Sequence, residues 1–197
     1  LKNKEMNPIH VMNKQELRKS IQAKRKVLSD SYQKDASQKI LSYILQSDAY
    51  KKAQTLFIFV SMKGEVNTHP LIEKAWKDGK TVVVPRCESK GIMHAYQIQS
   101  WKDVQPRTWG ILEPVDTTTY IPVHQIDLAI VPCCTCNEKG QRLGFGGGFY
   151  DRYLEHQSMI KMMVCFHELM CEEIPVDDHD IVMDMIVSEI GINNKKQ

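Results

Sequence analysis

Three short runs of unbroken apolar residues constrain this chain more than any other feature. Thr55-Leu56-Phe57-Ile58-Phe59-Val60, Thr81-Val82-Val83-Val84 and Asp127-Leu128-Ala129-Ile130-Val131-Pro132 are rich in β-branched and aromatic residues and lack polar alternation. A strand apolar on both faces is covered on both faces, the habit of parallel sheets. Between the first two runs lies a helix pattern. Asn67 and Thr68 are capping residue types, Pro70 falls in the first turn, and Leu71, Ile72, Ala75 and Trp76 form an inner face. Gly79 suits the position just past the end of that helix. A strand–helix–strand unit of this length predicts a right-handed parallel crossover, its second strand stopped by Pro85.

The other segments fit the same architecture. Lys14 to Leu28 and Ala36 to Gln46 read as helices, residues 92–98 as a strand, and Tyr150 to His156 as a helix start. Met162 to Cys165 and the stretch ending at Ser188-Glu189 read as strands. Ser100 to Gln125, with three prolines, reads mostly as loop, and residues 171–180 as acidic loop. No repeat or linker interrupts the chain. The expectation is an α/β fold: a single domain over residues 13–197, with a largely parallel central sheet flanked by helices. Residues 1–12 are expected to be a tail or a vector remnant, because the helix pattern starts directly after Met12.

Composition excludes several classes of function. A net charge of +2 gives no electrostatic case for nucleic acid. No apolar run approaches the roughly 18 residues of a membrane helix, and no secretory segment opens the chain. A cytoplasmic protein with reduced thiols is expected, and a monomer. The run Cys133-Cys134-Thr135-Cys136 invites a zinc reading. Its single C-x2-C, Cys133 to Cys136, has neither a second such pair nor a nearby histidine, so buried thiols at a strand end are expected instead.

Two segments carry chemistry. On the first helix Leu17, Ile21 and Leu28 share one stripe, and Lys14, Arg18 and Arg25 form a second stripe beside it. Cations at that border either reach into a site or merely snorkel. Farther on, five glycines (Gly140, Gly144, Gly146, Gly147 and Gly148) lie within nine residues, between a strand and a helix. Such a loop brings backbone N–H groups close to an anion, and Arg142 offers a guanidinium fork for phosphate. The same residues are equally consistent with a plain glycine-rich turn. Neither the P-loop pattern nor the G-x-G-x-x-G fingerprint is present.

The block Gly140-x-Arg142-Leu143-Gly144-x-Gly146-x-Gly148-Phe149-Tyr150-Asp151-Arg152 resembles the signature of the 5-formyltetrahydrofolate cyclo-ligase family. Lys14-x-x-Leu17-Arg18 with Arg25, then Ser61-Met62-x-x-Glu65-Val66-x-Thr68, and finally Pro175 to His179-Asp180 with Asp184-x-Ile186-Val187 follow in the family's order. The likeness spans about residues 13–192. It implies a Rossmann-like fold of the NagB/RpiA/CoA-transferase type. It also implies ATP-dependent cyclisation of 5-formyltetrahydrofolate to 5,10-methenyltetrahydrofolate. Lys14, Arg18, Arg142, Gly144, Gly146, Gly147 and Gly148 would bind ATP. Val60, Glu65, Trp109, Phe145, Gly146, Gly147, Gly148, Phe149 and Tyr150 would face the folate. Asp151 and Asp184 would hold Mg²⁺, and Arg142 and Glu65 would serve catalysis. The sequence departs from the family at Phe149, often a tyrosine, and at Gly147, a lysine in some members. It departs again at Cys133, Asn137 and Leu169. Two other readings stay open: a phosphate-binding isomerase or acyl-transfer enzyme that needs no ATP, and a non-catalytic nucleotide- or folate-binding relative.

Overall fold

The computed structural model describes residues 12–194, so the expected tail, apart from Met12, lies outside it. Helix α1 (Lys14–Val27) opens with a capping box. Asn13 Oδ1 accepts from the Glu16 N–H at 2.9 Å, and Glu16 Oε2 accepts from the Asn13 N–H at 2.9 Å. Helix α2 (Asp30–Gln46) starts six residues earlier than expected, where Ser29 Oγ accepts from the Tyr32 N–H. Its first turns carry no apolar stripe, so periodicity gave no sign of them, whereas the cap sets the start. A short α3 (Asp48–Lys52) leads into β1 (Thr55–Ile58), α4 (His69–Lys77), β2 (Thr81–Ser89) and β3 (Ile92–Ile98).

The expected loop over residues 100–125 contains three short strands: β4 (Val104–Pro106), β5 (Leu112–Pro114) and β6 (Thr119–Ile121). Each has only three residues, too few to show a period. Then come β7 (Leu128–Val131), a two-residue ribbon of β8 (Thr135–Cys136) with β9 (Arg142–Leu143), and α5 (Phe149–Leu154). The chain ends in β10 (Ile160–Val164), β11 (Met185–Ser188) and β12 (Gly191–Asn194).

The main sheet runs β12-β11-β10-β7-β1-β2-β3-β6. Strands β11, β10, β7, β1 and β2 are mutually parallel, and antiparallel neighbours close both edges. The largely parallel α/β architecture is therefore the observed one. Leu56, Phe57, Ile58, Leu128 and Ile130 are completely buried, as their unbroken hydrophobicity required. Helix α2 packs on β11 and β12, α4 on β2, and α5 on β3. Pro85 does not stop β2. The ladder with β1 covers only Thr81 to Val83, so beyond it the strand has one side without ladder bonds, where a missing N–H does no harm.

The link between β1 and α4 shows how the sheet's carboxyl edge is fixed. Thr68 stands at the N-cap of α4, but its hydroxyl does not cap the helix. It donates to Phe59 O at 2.7 Å and accepts from the Ser61 N–H at 3.1 Å, while Ser61 Oγ accepts from the Thr68 N–H at 3.0 Å. Asn67 Oδ1 accepts from the His69 N–H instead. Thr68→Val keeps the shape and deletes the hydroxyl, leaving the buried Phe59 carbonyl and the half-buried Ser61 N–H without their partner. Urea unfolding should show a loss of about 1–3 kcal/mol with an unchanged m-value; a loss below about 0.5 kcal/mol would remove this clasp from the account of the edge.

Candidate active site

The carboxyl ends of β1 and β7 lie side by side. From β1 the chain goes to β2 on one side, and from β7 to β10 on the other. This reversal opens a crevice at the carboxyl edge, the usual place for a ligand in such sheets. Helix α1 lies over it. Arg25 donates from one nitrogen to Gly64 O at 3.0 Å and from the other to Cys133 O at 3.2 Å and Cys134 O at 2.9 Å. One guanidinium thus joins the segments that follow β1 and β7. The sequence marked it on the basic stripe and in the first family block, but not its partners, which are remote in sequence.

Glu65 sits at the end of the tight turn after β1. Its carboxylate accepts from the Met62 N–H at 2.8 Å, and Gly64 supplies the positive φ of 88° that the turn needs. Burial raises the Glu65 pKa above the usual carboxylate range, against the Met62 N–H and the Arg25 cation, which both lower it. A cleft of about 540 Å³ extends from Glu65 toward α2, lined among others by Lys34, Leu41, Met62 and His69. Val60 is buried at the strand end. Tyr150 packs edge-on against Phe57 at 6.2 Å and lies 5.6 Å from the Arg142 guanidinium, and burial raises its pKa.

The glycine loop closes the other side of the crevice. Arg18 Nε donates to Gly144 O at 2.8 Å, and its guanidinium also lies beside Gly146, which adopts a φ of 110°. Phe145 is half exposed and lies 5.6 Å from the Arg25 guanidinium. Gly148 caps α5 in the left-handed conformation. The helix that follows has only six residues, so its dipole adds little to anion binding. Phe149 lies folded under the loop: a Cβ on Gly147 would stand 2.6 Å from its ring. The two family departures at 147 and 149 are therefore physically linked.

Other expected site residues are placed differently. Arg142 is buried, and its fork is not open to a ligand. It donates to Pro132 O at 3.2 Å and to Asp151 Oδ2 at 2.8 Å. Asp151 Oδ1 is buried without a hydrogen-bond partner. Lys14 is ion-paired to Asp177 at 2.7 Å and to Asp180, tying α1 to the acidic loop. Asp184 does not join Asp151. It precedes β11, where its carboxylate accepts from the Lys161 N–H at 2.8 Å, at the amino end of the parallel strands and so opposite the crevice. Trp109 is 77% exposed in the turn between β4 and β5, with a φ of 57°, and joins none of the groups above.

The sequence pattern of the 5-formyltetrahydrofolate cyclo-ligase family matches residues 10–189. The chain belongs to this family. It is 30% identical over 174 residues to the 5-formyltetrahydrofolate cyclo-ligase of Escherichia coli (strain K12), covering 85% of this chain and 96% of that one. The mouse (Mus musculus) cyclo-ligase is 29% identical over 189 residues, covering 89% and 93%. The solution NMR structure of Aquifex aeolicus 5,10-methenyltetrahydrofolate synthetase superposes with a TM-score of 0.84 at 30% identity, covering 94% of both chains. The crevice described here is thus built on a cyclo-ligase fold. Among the described residues no helix is long and apolar enough to cross a membrane.

The electrostatics of the crevice give a direct expectation. Because Arg25 lowers the Glu65 pKa, Arg25→Met should raise it further, while Arg25→Lys, which keeps the charge, should move it less. Carbon NMR titration of the Glu65 carboxyl reads both. A Glu65 pKa that stays put or falls in Arg25→Met would mean that the cation does not act on this carboxyl.

Proposed function

We propose that this chain closes the imidazoline ring of 5-formyltetrahydrofolate with ATP, giving 5,10-methenyltetrahydrofolate, ADP and phosphate. The observation that carries this reading is the convergence of the glycine loop, Arg18 and Glu65 on one crevice in a chain of the cyclo-ligase family. The formyl group on N5 is amide-like, and its oxygen is a poor leaving group. In the proposed sequence that oxygen attacks the γ-phosphorus and ADP departs. N10 then attacks the activated carbon, loses its proton, and expels phosphate with the former formyl oxygen. Little covalent work falls to the protein, which must align the two reactants and stabilise charge.

Arg18 stands where the loop would hold the phosphates, and the exposed backbone at Gly146 and Gly147 would supply further N–H donors. Arg142 acts beneath the loop: it holds Asp151 and the Pro132 carbonyl, so its contribution is to fix the cradle from below. Lys14 acts through the acidic loop, which it fastens over the start of α1. Glu65 with the cleft beside it, and Tyr150 nearby, form the folate side, with Glu65 placed to hold the pterin edge or to take the N10 proton.

Asp151 fits a magnesium ion that arrives with the nucleotide. Its unpartnered Oδ1 is a buried oxygen without a donor, and Mg²⁺ is commonly held by one or two carboxylates plus phosphate oxygens. The ion would neutralise phosphate charge. Asp184 takes no part in that site, given its place at the opposite end of the strands.

Two measurements test this reading. Substrate carrying heavy oxygen in its formyl group should deliver the label to phosphate; unlabelled phosphate alongside methenyl product would exclude the phosphorylated intermediate. Asp151→Asn should raise the Mg²⁺ concentration needed for half-maximal turnover at least about tenfold, and Asp184→Asn should leave it unchanged. The reverse pattern would move the metal to the other end of the sheet.

A further inference from the structure

The carboxyl edge holds a second group of chemically active side chains, which the proposed reaction does not use. Cys133 lies in the turn from β7 into β8, Cys136 ends β8, and Cys165 follows β10. All three are buried, and their sulfurs lie within 4.8 Å of one another. The expectation drawn from the sequence, that Cys133 to Cys136 are only buried thiols, lacked this third member, because Cys165 arrives through a strand pairing. Cys134, in the same run, lies outside the group.

We propose that Cys133, Cys136 and Cys165 form a binding site for a thiophilic d¹⁰ cation, copper(I) or zinc(II). Three sulfur donors on one small triangle are the donor set such ions select. With metal–sulfur bonds of about 2.3 Å, a three-coordinate ion holds its sulfurs about 4 Å apart. Closing the triangle onto the ion therefore takes a movement of less than about one ångström. The neighbourhood suits one anionic sulfur, Cys133, while hydrogen bonds to it and burial push the Cys136 and Cys165 thiols up, so these two must lose their protons as an ion binds. Hydrogen bonds from Cys136 and Cys165, aided by the Arg142 and Arg25 guanidiniums, hold the Cys133 thiol below its usual range despite burial. A small cavity with room of about 10 Å³, about that of one water, lies against Cys133 and Cys165 and is lined also by Arg25 and Glu65. Each thiol that coordinates releases its proton to solvent, so affinity rises with pH.

The fully reduced protein is titrated with Zn²⁺ and, in a separate anaerobic arm, with Cu(I), each against a chelator of known affinity. Stoichiometry is read after gel filtration, and thiolate-to-metal charge transfer by ultraviolet absorption. The expected result is one ion per chain with charge-transfer bands, and affinity that falls at least about 100-fold in Cys165→Ala and in Cys136→Ala. Cys134→Ala and Cys171→Ala serve as controls and should bind like the unaltered chain. Retention of copper(I) alone points to three-coordination by sulfur, and retention of zinc to a fourth donor from the cavity; either supports the site. If the trio variants do not fold, cadmium-113 NMR of the unaltered chain takes their place and should report a sulfur-rich ion. No ion retained by the reduced chain, retention equal in Cys165→Ala, or a cadmium signal of oxygen and nitrogen ligands would each overturn the proposal.

Discussion

The site depends on one guanidinium. Arg25 satisfies three backbone carbonyls from the segments that follow two different strands. Charge-assisted hydrogen bonds of this kind are worth about twice their neutral counterparts. They are also directional, so they set where α1 sits along the edge. The position of α1 then sets the rest. Arg18, two turns earlier on the same helix, reaches Gly144, and Lys14, one further turn back, reaches Asp177 and Asp180. Seven and four residues return a helix to nearly the same face. The basic stripe is thus one set of fasteners that pins a single helix over β1, β7, the glycine loop and the acidic loop in turn.

The fold was largely legible, because its signal is carried by long apolar runs. The centres of β1, β2 and β7 stood out as strands, since nothing polar interrupts them, and β3 matched its expected range of 92–98. What escaped were elements whose existence depends on partners. Strands β4, β5 and β6 are too short to show a period. The β8–β9 ribbon is two residues wide and is held by pairing across the Asn137 to Gln141 turn. Strand β12 reads Gly-Ile-Asn-Asn, with no strand preference, and forms because it can add to the edge of β11. The first turns of α2 were hidden for the opposite reason: they are set by a cap while exposing a polar surface.

The candidate site was less legible than the fold. Motif spacing could name residues but could not say which of their atoms were already engaged. The sequence marked Arg142 as a phosphate fork, yet the structure places it below the loop with its donors on Pro132 and Asp151. The direction of a side chain on a two-residue strand is fixed by burial, and position 142 is an inward one. Asp151 and Asp184 were paired by family pattern, yet they occupy opposite ends of the parallel strands. Only topology separates them: residue 151 follows the carboxyl end of β7, while residue 184 precedes the amino end of β11. Glu65 was named by family pattern alone; what fixes it beside the crevice is the tight Met62–Glu65 turn with its left-handed glycine, which the sequence alone did not show.

The departures at Gly147 and Phe149 show why residues of such a loop have to be read together. An ideal Cβ on Gly147 would lie 2.6 and 2.7 Å from two carbons of the Phe149 ring, closer than carbon atoms approach without displacement. A side chain at 147 and this placement of the ring therefore exclude each other. In relatives with lysine at 147, the aromatic side chain at 149 must lie elsewhere or the loop must follow another path. Phe149 has no hydroxyl, so nothing polar is lost when its ring folds under the loop and packs on the core. A tyrosine in the same place would need a partner for its oxygen. The missing hydroxyl and the missing Cβ thus support one loop conformation. In it the ring packs against Gly147 from one side, Gly146 lies beside Arg18, and both glycines remain exposed.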